Sequence, residues 1–205
     1  MGVAIRTATE ADRDFVVRLL DEAFQDDPVS GWVFPGAEYR RATHHRLMAA
    51  FTDIVLADGR IDLTEDGSAC ALWLPTPAGE HDPDDDGPAQ LRDAVDPANE
   101  RVELIGRLTA GIHPCDRAHE YLWMIGVSPQ RQGEGLGSAL IGAVLDRCDG
   151  DGVPAYLEAS SARSRKLYER LGFELLGSPL DLPEGPQMFP MWREPRELRE
   201  LRAAR

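Results

Sequence analysis

Seven residues, Gln132-Gly133-Glu134-Gly135-Leu136-Gly137-Ser138, constrain this chain more tightly than any others. They follow an apolar run, Tyr121 to Val127, that reads as a strand. They lead into a pattern with Leu136, Leu140, Ile141, Val144 and Leu145 on one face, which predicts a helix from Gly135 to Cys148. Glycines at 133, 135 and 137 let the backbone approach a ligand closely and turn its N–H groups inward. The helix that follows offers the positive end of its dipole, so the loop suits a diphosphate. Two common diphosphate loops do not fit. A Walker A loop ends in Gly-Lys-Ser/Thr, which is absent, and the dinucleotide loop needs G-x-G-x-x-G, whose spacing fails here.

The rest of the chain alternates strands and helices around that loop. Val3 to Ala8 predicts a strand, and Thr9 an N-cap for the helix carrying Phe15, Val16, Leu19, Leu20, Ala23 and Phe24. Pro28 to Gly36 reads as an aromatic loop or short helix, and 37–56 as a second long helix. Strands at 60–64 and 69–74 flank an Asp66-Gly67 turn. Residues 77–90 form an acidic stretch rich in Pro and Gly, expected to be a mobile loop, and 91–108 hold one or two helices. Beyond the loop, 155–158 is a strand, 163–171 a helix, 173–180 a strand, and 187–193 closes the sheet. The expected fold is α/β: a mixed, mostly antiparallel sheet with a splayed parallel pair and helices on both faces, one domain over 1–195, with 196–205 as a basic, solvated tail.

The net charge of -14 disfavours nucleic acid, whose phosphates supply most of such affinity; it reads first as a device for solubility, with attraction of a cationic small molecule as the alternative. Three widely spaced cysteines without a CxxC fit a reducing, cytoplasmic setting. No signal peptide and no 18-residue apolar span is read, so no membrane partner is expected. A monomer or homodimer is expected.

The glycine loop matches Q/R-x-x-G-x-G/A, and with Val127-Ser128-Pro129 before it and Tyr168 to Phe173 after it the chain resembles the GCN5-related N-acetyltransferases. The segments 125–129, 132–138, 152–158, 168–173 and 183–186 are similar to the puromycin N-acetyltransferase branch. The resemblance implies acetyl-CoA as co-substrate, with the pantetheine arm on Ile125, Gly126 and Val127. It implies the pyrophosphate on the amides of Gln132, Gly133, Glu134, Gly135, Leu136, Gly137 and Ser138. Tyr168 is implied as general acid for the leaving thiolate and Glu158 as base for the acceptor amine, with Glu120 as the rival base. Where many relatives carry Asn, this chain has Ser164, whose reach is shorter. The implied activity is direct acetyl transfer to an amine, a small-molecule one being favoured. The rivals are a protein or peptide N-acetyltransferase and a non-catalytic acyl-CoA-binding regulator.

The remaining candidates are open. Phe24, Trp32, Phe34 and Tyr39 either line the acceptor pocket, with Asp26 or Asp27 pairing a cationic amine, or pack the N-terminal helices on the sheet. His113, Cys115 and His119 cluster in sequence, but their spacing fits no usual zinc pattern, and no metal is expected. His44 and His45, adjacent on a helix, are expected at the surface.

Overall fold

The computed structural model describes residues 3–79, 86–197 and 200. Strand β1 (Ile5–Thr7) leads through a 3-10 turn to helix α1 (Arg13–Phe24), followed by α2 (Pro28–Val33), α3 (Ala37–Asp58), β2 (Arg60–Thr64) and β3 (Ala69–Thr76). Helices α4 (Gly87–Val95) and α5 (Glu100–Ala110) precede β4 (His119–Val127), α6 (Leu136–Asp151), β5 (Ala155–Ala159) and α7 (Ala162–Arg170). Short strands β6 (Glu174–Leu175) and β7 (Leu180–Asp181) and the longer β8 (Gln187–Arg193) complete the chain.

The strands run β1-β2-β3-β4-β5-β8-β6, with β7 also on β8. Every pairing is antiparallel except β4 with β5. That parallel ladder holds only Glu120 opposite Ala155 and Tyr121 opposite Tyr156. Beyond it β4 continues to Val127 on β3, and β5 to Ala159 on β8, without pairing with each other, so the sheet opens at its centre.

Strand alternation divides the core in two. Cys70 and Leu72 of β3 join Leu20, Met48, Val55 and Val102 under α1, α3 and α5. Their neighbours Ala69, Ala71 and Trp73 join Leu140, Ile141, Leu157 and Tyr168 under α6 and α7. Glycine makes one close approach possible: a Cβ on Gly126 of β4 would lie 3.1 Å from Leu20 and 3.3 Å from Ala23, so α1 sits directly on the open strand.

Several sequence expectations change. Residues 87–90 are the first turn of α4 rather than loop, because Pro88 sits where a helix start tolerates proline. Residues 80–85 of the acidic stretch, and 198, 199 and 201–205 of the tail, lie outside the described residues. The strand expected over 173–180 is interrupted, since Gly177 takes a φ of +68° and Pro179 has no N–H to donate. His44 is fully buried, because Thr43, His44, Leu47 and Met48 form the inward face of α3; His45 is exposed.

Two glycines give opposite expectations. A Cβ on Gly185 would come within 2.4 Å of Trp32, so Gly185→Ala is expected to cost about 1–3 kcal/mol. Gly142, inside α6, has open space around its would-be Cβ, so Gly142→Ala is expected to gain up to about 1 kcal/mol. Denaturant melts of both variants read the two signs.

Candidate active site

One cleft of about 1250 Å³ runs through the opening between β4 and β5. At one end lies the glycine loop. Gly133 and Gly135 take φ values of +85° and +84°, which other residues reach only with strain. Nothing stands within 4 Å of a Cβ built on either, so the cradle is open. Gly135 also caps α6, and no side chain satisfies the first amides of that helix. The loop is braced from behind: Arg131 pairs with Glu134 at 2.7 Å and Asp66 at 3.0 Å, and Gln132 donates to the Val127 carbonyl at 3.3 Å. Exposed Arg163, Lys166 and Arg170 of α7 bring positive charge to the same cleft of an acidic chain.

Most of the residues singled out in the sequence meet there. Ile125, Val127, Gln132, Gly133, Gly135, Leu136, Gly137, Ser138, Glu158 and Tyr168 line the cleft, as do Phe24 and Asp27. Gly126 does not, because α1 covers it; nor does Glu134, whose carboxylate is held by Arg131. Trp32 and Phe34 are core residues instead. The Trp32 indole donates to the Pro183 carbonyl at 2.8 Å, with Arg101 5.0 Å over its ring, while Phe34 packs on Tyr39 and His44. Glu120 is also absent from the lining. Strand alternation turns it toward Arg147 of α6, and burial raises its pKa.

Glu158 is buried, its side chain 4% exposed, on a central strand rather than near an edge. Tyr121 donates to its Oε2 at 2.6 Å, and its Oε1 accepts no hydrogen bond among the described residues. The buried hydroxyl of Tyr156 lies beside the same carboxylate; burial, and then the Glu158 charge, raise that phenol. Tyr168, on α7, packs on Phe173. Burial, and then the charge of Asp27, hold its phenol above the ordinary value, so it keeps its proton at neutral pH. Glu158 belongs to the sheet face opposite Leu157, whereas Tyr168 shares the core of Leu157. The two groups therefore reach the cleft from opposite faces, through the gap in the ladder.

Asp27 ties the N-terminal helices to this centre. It caps α2, accepting from the amides of Val29 at 2.9 Å and Ser30 at 3.2 Å, and its other oxygen accepts from Ser160 at 2.5 Å. Burial raises its pKa against those hydrogen bonds. Behind α2, the chain Ser30–His44–Asp21 links three helices, at 3.1 Å and 2.7 Å. Ser164 spends its hydroxyl on a capping box with Ser161 at the start of α7. Sequence reasoning did not single out Tyr121 or the α7 cations, and weighed His113 only as a metal ligand. Tyr121 stands opposite Tyr156 once the two strands are aligned, but His113 is carried by an irregular segment with no periodicity to read.

This arrangement, a sheet opened beside a glycine loop, coincides with a known sequence profile. The profile of the acetyltransferase (GNAT) family matches residues 62–173, from β2 through the end of α7. The chain belongs to the GNAT family. This GNAT chain is 38% identical over 74 residues to mycothiol acetyltransferase of Streptomyces coelicolor, a match covering 35% of this chain and 24% of that one. It is 37% identical over 78 residues to L-2,4-diaminobutyric acid acetyltransferase of Marinococcus halophilus, covering 36% and 45%. The match thus spans less than half the length of these curated relatives. A solved structure from Corynebacterium glutamicum, named as histone acetyltransferase HPA2 and related acetyltransferase, superposes with a TM-score of 0.71 and 29% identity over 95% of this chain and 97% of that one. Arylalkylamine N-acetyltransferase 2 of Aedes aegypti, at 16% identity and a TM-score of 0.67 over 95% and 99%, shares the fold. Among the described residues no helix is long and apolar enough to cross a membrane.

The buried histidines give a pH dependence. Burial lowers the pKa of both His44 and His119 below the ordinary 6.5. The unfolded chain therefore binds more protons than the folded one as pH falls through about 6.5, and stability falls with it, by at most about 1.4 kcal/mol per pH unit for each group. Melting midpoints between pH 8 and 5.5 are expected to decline, and His44→Gln is expected to flatten that slope.

Proposed function

We propose that this protein is an acetyl-CoA-dependent N-acetyltransferase acting by direct transfer on a small-molecule amine with an apolar body. The observation that carries the reading is the buried Glu158 carboxylate in the same cleft as the open glycine cradle and the Tyr168 phenol. The residues present fit the co-substrate. The uncapped start of α6 and the φ-positive glycines offer amides to a diphosphate, with Arg163, Lys166 and Arg170 nearby. The edge of β4 that faces β5 beyond Tyr121 offers backbone groups to an extended pantetheine arm.

Bound acetyl-CoA would supply the acetyl thioester. Glu158 removes a proton from the acceptor ammonium, since only the neutral amine attacks. Tyr121, donating to Oε2, holds the carboxylate in place and leaves Oε1 for the amine. Tyr168 protonates the departing sulfur. Holding both partners in the opening contributes part of the rate, up to about 7–11 kcal/mol in favourable cases. The acceptor side supports the substrate class. Phe24, Phe51, Trp123 and Met124 line it, with the Phe51 and Trp123 rings 4.3 Å apart, and Asp26 and Asp27 supply negative charge for a cation.

Thermal unfolding with acetyl-CoA, beside ATP and NAD, is the first test. Acetyl-CoA at 100 times its Kd is expected to add about 2.7 kcal/mol, and the controls nothing. Gly135→Val is expected to erase that gain; a gain from ATP or NAD alone would withdraw the reading. With a responsive amine, Tyr168→Phe and Glu158→Gln are each expected to lower kcat by about 10²–10⁴-fold while leaving acetyl-CoA binding intact. A panel of small amines against peptides settles the acceptor class.

A further inference from the structure

The segment joining α5 to β4 places His113 against Glu158. The His113 ring stands edge-on to Tyr121 and Tyr156, with centroids 4.7 Å and 4.8 Å away. Its Nδ1 lies 3.8 Å from Glu158 Oε1, and its Nε2 lies 3.0 Å from Nε2 of His119. The other nitrogen of His119, Nδ1, lies 2.9 Å from the Arg117 carbonyl oxygen.

These distances fix where the hydrogens are. A carbonyl oxygen only accepts, so His119 carries its hydrogen on Nδ1. Burial keeps His119 neutral near pH 7, so its Nε2 bears a lone pair. The Nε2 of His113 must then be the donor between the two rings. A neutral His113 consequently has its lone pair on Nδ1, the atom beside Glu158 Oε1. Among the described residues that oxygen is buried and accepts no hydrogen bond, whereas Oε2 is held by Tyr121. A lone pair beside a buried anionic oxygen is unfavourable until one proton joins them. The two atoms are placed to share one proton.

We propose that His113 is a positioning residue for acetyl transfer: acting through Glu158, it receives at Nδ1 the proton that the carboxylate takes from the acceptor ammonium, and His119 locks it in the competent tautomer. This rests on the acetyl-transfer reading above. Between ammonium and amide the acceptor nitrogen loses two protons. One N–H bond breaks to Glu158 Oε1, and that proton passes to His113, leaving a carboxylate beside an imidazolium. The other leaves as the C–N bond forms and the C–S bond breaks, and it replaces the one Tyr168 gives to sulfur. His113, 10% exposed and part of the cleft lining, returns its proton to water. Among the described residues, the titratable groups facing His113 are His119 and Tyr121 from β4 and Tyr156 and Glu158 from β5, with Asp116 acting on His119 from the preceding segment.

Nitrogen-resolved NMR of the full chain, labelled at histidine, reads the tautomers without turnover. The expected result at pH 7.5 is Nδ1–H on His119 and Nε2–H on His113. The opposite tautomer on either ring overturns the relay alone. In kinetics, His113→Gly is expected to lose about tenfold or more in kcat, with KM for acetyl-CoA nearly unchanged and added imidazole restoring part of the rate. His119→Gln, which can still accept from His113, is expected to keep more activity than His119→Leu. A His113→Gly enzyme at wild-type speed overturns the relay. So does a slowed one that melts normally, binds acetyl-CoA and ignores imidazole. A wild type that binds acetyl-CoA but acetylates no amine overturns the acetyl-transfer reading and the relay together.

Discussion

Everything specific to this molecule follows from a parallel ladder that stops after two residue pairs. In a continuous sheet the backbone groups of Leu122 to Met124 and of Leu157 to Ala159 would satisfy one another. Because β4 and β5 part after Tyr121 and Tyr156, that hydrogen-bonding capacity is left for a ligand. The separation is supported on both sides. Helix α1 lies on β4 where Gly126 admits Leu20 and Ala23, and β8 holds β5 through a five-pair antiparallel ladder from Ala155 to Ala159. The opening thus lies between two well-anchored strands, and it lets groups from both faces of one sheet meet.

That geometry distributes the polar groups unevenly. Cations cluster on α7 and around the loop, whereas Asp26, Asp27 and Glu158 lie toward the N-terminal helices. A ligand with phosphates at one end and a partner with a cationic amine at the other would each meet opposite charge. Around the cleft, burial keeps the Tyr156 and Tyr168 phenols protonated, and burial with the Glu158 charge holds Tyr121 in the same state. Glu158 is therefore an acceptor ringed by donors and by one imidazole.

The sequence was most legible where chemistry and periodicity coincide. The loop at 132–138, the apolar face of α6 and the strand before it were readable because glycine spacing and a helical repeat leave few alternatives. The aromatic residues near the N-terminus were not. Phe24 and Phe34 look alike in sequence, yet Phe24 ends α1 at the cleft while Phe34 follows α2 into the core against His44. Which face a side chain takes after a short helix depends on tertiary packing. His113 posed the same difficulty. Its neighbours in space are Tyr121, Tyr156 and Glu158, which a reading limited to nearby cysteine and histidine cannot bring together.

The hydrogen bond between Asp27 and Ser160 reaches further than its length suggests. It fastens the start of α2, which walls the acceptor side, to the residue two places after Glu158. A change in α1 or α2 that widened the pocket for a larger amine would pull on the strand carrying the candidate base. On the proposed reading, substrate range and reaction rate are mechanically linked in this chain. A lineage selecting for a new acceptor would have to alter Asp27 and Ser160 together, or reshape the pocket from Phe51 on α3, across the cleft from the Tyr121–Glu158 bond.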